Sequence, residues 1–377
     1  MQKFEKHSPV VVTEVTTKHE LRQFMQYPNR LYADNPNYIP SFYGDDLSDW
    51  TPGKNPAFDY CEARCWLAWR DGEIVGRIGA ILSHKANDKF GTHRMRFSQV
   101  DFVDDSEVSA ALFGMVERWA REKGCDQVHG PLGFTDMDRE GMLVEGFDRR
   151  SLFFTNYNAP YYLEHLTRLG YRKDVDWIEY RITVPAPGSA EAERLHKLSE
   201  FILKRKNLHV ATVHHKSEYG PFVRQVFELV NAAYAPLYGV VELSDEQIER
   251  YANKFIPLVD PEFVCFVLDK QDKLVAFGVT ALDPSVALKH SDGRLFPFGW
   301  AGVLNDLHHS DTLIMLLTAV RPDLQTEGIN AVMMDHVCQS CNRHGVQFAE
   351  TGPMLELNDH ILAQWKRLEK EQHKRRR

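Results

Sequence analysis

Two stretches of this chain alternate apolar and polar positions in the manner of a β-hairpin. In "CWLAWRDGEIVGRIGAIL" (65–82) two such runs flank Asp71-Gly72, a residue pair suited to the left-handed backbone of a tight turn. In "EFVCFVLDKQDKLVAFGVTAL" (262–282) the form repeats, with its turn at Lys270 to Lys273. Each hairpin is followed by a further apolar run and then by a helical pattern. In the first half these are "MRFSQVDFV" and "SEVSAALFGMVERWAREKG", where Val108, Leu112, Met115, Val116 and Trp119 fall on one face before Gly124 ends the helix. In the second half they are "TLIMLLTAV" and "INAVMMDHVCQSCNRHG", which ends at Gly345. A last strand, "QVHGPLG" or "VQFAETG", and a closing helical segment complete each half. The repeated order predicts a duplicated α/β unit, each half a mixed central sheet flanked by helices. Residues 184–193, "VPAPGSAEAE", are rich in Pro, Gly and Ala and read as a linker between domains at 1–183 and 194–377.

Composition narrows the function. A chain of 377 residues, 43% hydrophobic and 26% charged, can bury two cores. Its net charge of -8 argues against a nucleic-acid partner and favours a small-molecule or protein partner. No stretch resembles a signal peptide or approaches the roughly 18 apolar residues of a membrane span, so a cytoplasmic protein is expected. The six cysteines are too sparse for a disulfide framework and are expected to be reduced. His336, Cys338, Cys341 and His344 have the residue types of a metal site, but on a helix they spread around more than half the circumference. No metal is expected.

The segment "VRPDLQTEGINAV" (320–332) lies where an apolar strand hands over to a helix. Unpaired amides in such a turn, reinforced by the helix dipole, bind a diphosphate, and a glycine lets the main chain approach it closely. With the elements around it, this turn resembles the V-x-P-x-x-Q/R-x-x-G-x-G/A signature of the GNAT acyltransferase superfamily. Val320, Pro322, Gln325 and Gly328 match, and Asn330 stands where Gly or Ala is usual. The resemblance implies acyl-CoA, acetyl or long-chain, as cosubstrate, held by Ala319, Val320, Gln325, Thr326, Glu327, Gly328, Ile329, Asn330 and Asn358. It also implies direct attack of an amine on the thioester, with main-chain amides at Ala319 and Val320 meeting the carbonyl oxygen. Glu350 and Glu356, at and just past the end of the next strand, are the candidate bases. The final-helix tyrosine that reprotonates the thiolate in many members is replaced by Trp365, and an indole cannot act as that acid.

The first half differs at the corresponding turn. Asp104, Asp105 and Glu107 occupy the helix start, where carboxylates suit the helix and repel an anionic cofactor, so the N-terminal unit is expected not to bind CoA. Residues 130–171 form an unusually long connection carrying Asp136, Asp138, Glu145, Asn156, Tyr157, Tyr161 and Tyr162, the candidate acceptor-binding residues. This connection, "NPNYIP" (35–40), "GRIGAI" (76–81) and "MLELN" near the C-terminus resemble a tandem-GNAT family that includes the bacterial ceramide synthases. That resemblance implies acyl transfer to a lipid amine such as a sphingoid base. The basic tail "WKRLEKEQHKRRR" suggests solvated chain or peripheral contact with the inner face of the membrane. The alternatives are an aminoacyl-tRNA-dependent tandem-GNAT transferase and a degenerate scaffold. Oligomeric state is not legible.

Overall fold

Residues 8–377 are described by the computed structural model, and each hairpin read from the sequence lies within its own sheet. The first unit runs β1 (Val11–Glu14), α1 (Lys18–Leu31), α2 (Tyr43–Asp49), β2 (Cys61–Arg70), β3 (Glu73–Ser83), α3 (His84–Phe90), β4 (Arg94–Phe102), α4 (Ser106–Glu122), β5 (Gln127–His129), β6 (Leu143–Glu145) and α5 (Tyr162–Arg168). Its five-stranded sheet has the order β1-β2-β3-β4-β5, antiparallel except between β4 and β5. The hairpin of β2 and β3 closes at Asp71 and Gly72, with φ of 53° and 83°.

Helix α4 covers this sheet for the reason visible in its sequence. Val108, Leu112, Val116 and Trp119 are buried against Trp66, Ile78 and Phe97. Gly76 of β3 lets the helix come close, since a Cβ there would lie 2.7 Å from Leu112 Cδ1. The second unit runs β7 (Trp177–Thr183), α6 (Ala190–Lys206), β8 (His209–Val210), α7 (Gly220–Tyr234), α8 (Asp245–Phe255), β9 (Val264–Leu268), β10 (Leu274–Leu282), α9 (Ser285–His290), α10 (Gly299–His309), β11 (Thr312–Val320), α11 (Asn330–His344), β12 (Phe348–Glu350), β13 (Met354–Leu355), α12 (Asp359–Gln364) and β14 (Lys370–Arg376). Its strands follow the order β14-β7-β12-β11-β10-β9-β8, with β13 also pairing β7. α11 packs Ala331, Val332 and Met333 on Cys265, Val267 and Val275, while Cys341 joins Leu313 and Ala349 in an adjoining cluster.

Two expectations are corrected here. The division between units falls after Asp176 instead of at the linker, because β7 pairs with β12 through Thr183, Ile182 and Arg181 and so belongs to the second unit. Residues 190–193, expected as linker, form the first turn of α6 behind a Ser189 cap. The basic tail is also not solvated chain. It forms β14, with the Lys374 side chain fully buried 3.2 Å from Glu350 and 3.4 Å from Glu179, and with Arg377 held 2.9 Å from Asp176. Buried cations need such carboxylates, and the repeated Lys and Arg serve internal pairing. Of the seven basic residues only Lys366 and Arg367 are well exposed.

Leu112 tests the account of the first core. Leu112→Ala removes a fully buried side chain and is expected to lower unfolding free energy by about 2–5 kcal/mol, read as a shifted midpoint in urea with an unchanged slope.

Candidate active site

In the second unit β11 and β12 run parallel, but they pair only where Thr312, Leu313 and Ile314 meet Phe348, Ala349 and Glu350. Beyond that point β11 continues to Val320, while the chain after Glu350 turns away and pairs with β7 as β13. The two strands therefore open into a wedge. On the other side of β11 the register with β10 jumps from Val279–Leu317 to Thr280–Met315, which leaves Leu316 as the extra residue of a bulge.

The hydrogen-bond pattern shows which groups face the wedge. The Arg321 amide donates to Val275 O on the β10 side at 2.8 Å. Antiparallel pairing alternates, so the Ala319 amide also turns toward β10. Thr318 O instead accepts from Tyr234 Oη at 2.7 Å and Val320 O from Gln325 Nε2 at 3.3 Å, so the peptide groups of Thr318 and Val320 point away from β10. Of the two amides expected to meet a carbonyl oxygen, Val320 stands at the open edge and Ala319 does not, and Thr318 joins Val320.

An apolar cavity of about 730 Å³, counted to its mouth, occupies the wedge. Met315, Leu317, Ala349, Met333, Val337 and Trp365 are among its walls. A second apolar cavity of about 560 Å³ lies between the sheet and helices α7 and α8, against Phe227, Phe255, Phe266 and Leu316. Val279 and Leu317, paired with each other next to the bulge, line both cavities.

At the far end of β11 the chain makes a short helical turn, Pro322–Leu324, and reaches Gly328 at φ 81° before α11 starts. Among the described residues, the amides of Thr326, Gly328 and Ile329 have no hydrogen-bond partner. No side chain caps α11, and no acidic residue lies in its first turn. Glu327 is drawn to Lys206 at 2.5 Å. Asn330, the departure from the family signature, donates to Gln364 Oε1 at 2.9 Å and ties α11 to α12. Asn358, expected at the cofactor, accepts from the Ile361 amide and caps α12. Trp365 is buried with its indole N–H on Met354 Sδ.

Glu350 does not stand ready as a base. Its side chain is almost buried and accepts from Lys374 Nζ at 3.2 Å, with Arg181 at 3.9 Å and His373 at 3.8 Å. It anchors β14. Glu356 lies outside this cluster, half-buried, with Arg375 at 3.4 Å. Tyr234, which the sequence reading missed, places a phenol hydroxyl at the open edge of β11. Its one sequence signal was the α7 face of Val226, Phe227 and Val230, on which it continues the helical spacing.

The first unit repeats the wedge with a different lining. β4 and β5 pair only through Arg94, Met95 and Arg96, and β4 bulges at Gln99, whose φ is 46°. Here a polar chamber of about 480 Å³ is lined by Arg77, Gln99, Asp101, Tyr157 and Tyr162, among others. Arg77 and Asp101 form a buried ion pair at 2.7 Å, and Arg77 also donates to Gln99 Oε1 at 3.0 Å. Tyr32 donates to Asp101 Oδ1 at 3.1 Å and lies 2.7 Å from Tyr162 Oη. Burial raises the Asp101 carboxyl above its ordinary range despite Arg77. The α4 N-terminus is closed: Asp105 accepts from the Glu107 and Val108 amides and pairs with Arg70 at 2.5 Å.

Of the seven acceptor candidates in the long connection, Asn156, Tyr157 and Tyr162 line this chamber. Tyr161 bonds Phe102 O beside it. Asp138 instead accepts the Phe134 and Thr135 amides and shapes its own loop. Glu145 is an exposed residue of β6. Asp136 is pushed up to about 6, first by burial and also by Asp138, and its Oδ1 has no partner. Neither Asp136 nor Asp138 lines the chamber. Cys338 and Cys341 have thiols raised by burial to about 11 and about 12, and no group of metal ligands occurs among the described residues. All six cysteines are free thiols.

No family model matches the chain. A tandem GNAT protein from the clavulanic acid biosynthesis pathway superposes with a TM-score of 0.54 at 14% identity, over 97% of this chain and 96% of that one. The chain has a tandem-GNAT fold. In sequence it is 27% identical to protein YghO of Escherichia coli strain K12, over 97% of this chain and 94% of the relative. It is 28% identical to the bacterial ceramide synthase of Caulobacter vibrioides, over 78% of this chain and 75% of that enzyme.

Asp136 yields a pH test. Its folded pKa lies above the ordinary value, so the cost of ionising it is full above pH about 6 and gone below pH about 4. Asp136→Asn is therefore expected to raise the thermal midpoint at pH 7.5, with the gain shrinking to nothing as the pH is lowered to 4.

Proposed function

We propose that this protein is an acyl-CoA-dependent N-acyltransferase whose cosubstrate sits in the second unit. The carrying observation is the run of unpartnered amides at Thr326, Gly328 and Ile329, at an uncapped helix start beside an apolar wedge. Each hydrogen bond from such an amide to a diphosphate is charge-assisted and contributes on the order of 1.5–3 kcal/mol. The α4 start in the first unit has its amides taken by Asp105, which supports assigning CoA to the second unit alone.

In the proposed reaction an acceptor amine attacks the thioester carbonyl carbon, the C–S bond breaks, and an amide and a free CoA thiol leave. The Thr318 and Val320 amides donate to the carbonyl oxygen as it gains charge. Glu356 takes the amine proton, directly or through water, while Glu350 stays bound to Lys374. Tyr234 is the proton donor to the departing thiolate, the role that Trp365 cannot fill. The two apolar cavities on either side of the Leu316 bulge favour a long acyl chain over acetyl. The likeness to a bacterial ceramide synthase favours a lipid amine such as a sphingoid base as the acceptor.

Thiol release during incubation with acyl-CoAs of increasing chain length and several amines tests this reading. Release is expected with long chains and a lipid amine. Release from acetyl-CoA alone would remove the lipid assignment, and no release from any pair would favour a scaffold. Gly328→Val puts a β-branched residue at φ 81° within reach of Ile202, and CoA affinity is expected to fall about tenfold or more with an unchanged circular dichroism spectrum. For Tyr234→Phe, kcat should drop about 10²-fold with little change in KM; an unchanged kcat would remove Tyr234 from the mechanism.

A further inference from the structure

Met315, Leu316, Leu317 and Thr318 are partly exposed although β11 is an inner strand of its sheet, between β10 and β12. The space that exposes them is divided between the two apolar cavities, and the strand register locates the division. Cys265 and Phe266, neighbours on β9, point to opposite faces: Cys265 packs with α11, and Phe266 stacks on Phe222 of α7 with ring centroids 4.5 Å apart. Gly278 pairs with Cys265, and Thr318 pairs with Gly278, so these lie on the α11 face, where Thr318 Oγ1 is 3.9 Å from Met333 Sδ. Val279 pairs with Val264, and Leu317 with Val279, which puts both side chains on the α7 face. Both nevertheless border the wedge cavity, whose helix walls are α6 and α11. The two cavities meet at this residue pair.

The cavity on the α7 face is chemically uniform. Val226, Phe227, Phe255 and Phe266 are among its walls. Tyr219, the one polar side chain lining it among the described residues, donates its hydroxyl to Val259 O at 3.4 Å. Water there would find no hydrogen-bond partners, and close-packed interiors keep few voids approaching 560 Å³. Such a space suits hydrocarbon. Its position decides which hydrocarbon. The wedge cavity reaches Asn330, at the start of the helix whose neighbouring amides hold the diphosphate in the proposed reaction. The wedge is then the place of the pantetheine arm and the thioester, with the carbonyl oxygen on the Thr318 and Val320 amides. An acyl chain that leaves Thr318 meets Leu317 next, and past Leu317 and the Leu316 bulge the apolar surface continues into the α7 cavity.

We propose that the cavity between the sheet, α7 and α8 holds the far end of the acyl chain, and that Val223 of α7 and Ala252 of α8 are walls that limit the chain length accepted. This rests on acyl-CoA being the cosubstrate and adds the residues that select its chain. The test is calorimetric binding of CoA, acetyl-CoA, octanoyl-CoA and palmitoyl-CoA to the full chain, comparing the wild type with Ala252→Phe and Val223→Phe. Ala252 is buried and Val223 partly exposed, and both line the cavity, so a phenyl ring at either fills it from a different helix. Burying one methylene strengthens binding about fourfold, so the wild type is expected to hold palmitoyl-CoA at least about a hundredfold tighter than acetyl-CoA. In both variants CoA and acetyl-CoA should bind as in the wild type, which also reports that the fold is kept. Palmitoyl-CoA should weaken about tenfold or more, and octanoyl-CoA less. Palmitoyl-CoA binding no tighter than acetyl-CoA in the wild type overturns the proposal and leaves the cosubstrate assignment standing, as does full palmitoyl-CoA affinity in the folded variants. If those variants instead lose only thiol release with a lipid amine, the cavity holds the acceptor's chain and the proposal is wrong. Absence of binding by CoA itself overturns the cosubstrate assignment and this proposal together.

Discussion

β11 and β12 share hydrogen bonds through three residue pairs and then separate, and the candidate site depends on that separation. A strand edge left without a neighbour exposes peptide groups that must find other partners. Along β11 the carbonyls of Thr318 and Val320 are met by Tyr234 and Gln325, which fixes the direction of the edge amides as well. The bulge at Leu316 turns side chains from one face of the sheet to the other at the same level. Apolar cavities therefore lie on both sides of one strand, and donors lie along its edge. A fully paired strand would offer neither.

The first unit shows what happens to the same wedge when different residues line it. β4 and β5 also separate after three pairs, and β4 also bulges. The strand positions that bring Leu and Met to the second wedge are matched in function here by Gln99 and Asp101, and Arg77 comes across from β3. A buried guanidinium and carboxylate are stable only when each satisfies the other, so the Arg77–Asp101 pair and its tyrosine neighbours fix the polarity of the chamber. The capped start of α4 and the uncapped start of α11 differ in the same sense. The two units share the backbone device and differ in chemistry, one wedge apolar beside an uncapped helix start, the other ionic beside a capped one.

Much of the fold was legible because the signals were local. The period of β2 and β3, the apolar stripe of α4, and Gly345 with φ 71° after α11 each act within a few residues. The errors came from long-range pairing. Seven basic residues near the C-terminus have the composition of solvated chain, and only the buried Glu179 and Glu350 make β14 a strand. β7 follows the first unit in sequence yet pairs with β12, and no composition marks that. The site was read unevenly for the same reason. The turn at Gly328 is a contiguous signature, whereas Arg77 and Asp101 meet from separate strands, and Tyr234 meets Thr318 from a helix far earlier in the chain.

Asn330 shows why a departure from a signature need not end a function. Gly or Ala at that position keeps side-chain bulk away from the helix start, and an asparagine adds both bulk and polarity there. In this protein the added amide group is bonded to Gln364, and both residues lie on the wall of the wedge cavity beside Trp365. The side chain is thereby held against α12 and is not left to fold back over the amides of Gly328 and Ile329. The same contact fastens α12, and Trp365, which follows that helix, adds a buried ring to the cavity wall. Asn330 and Trp365 act together: the amide is tied to Gln364 and the indole is buried on Met354, so this wall of the cavity is fixed and largely apolar.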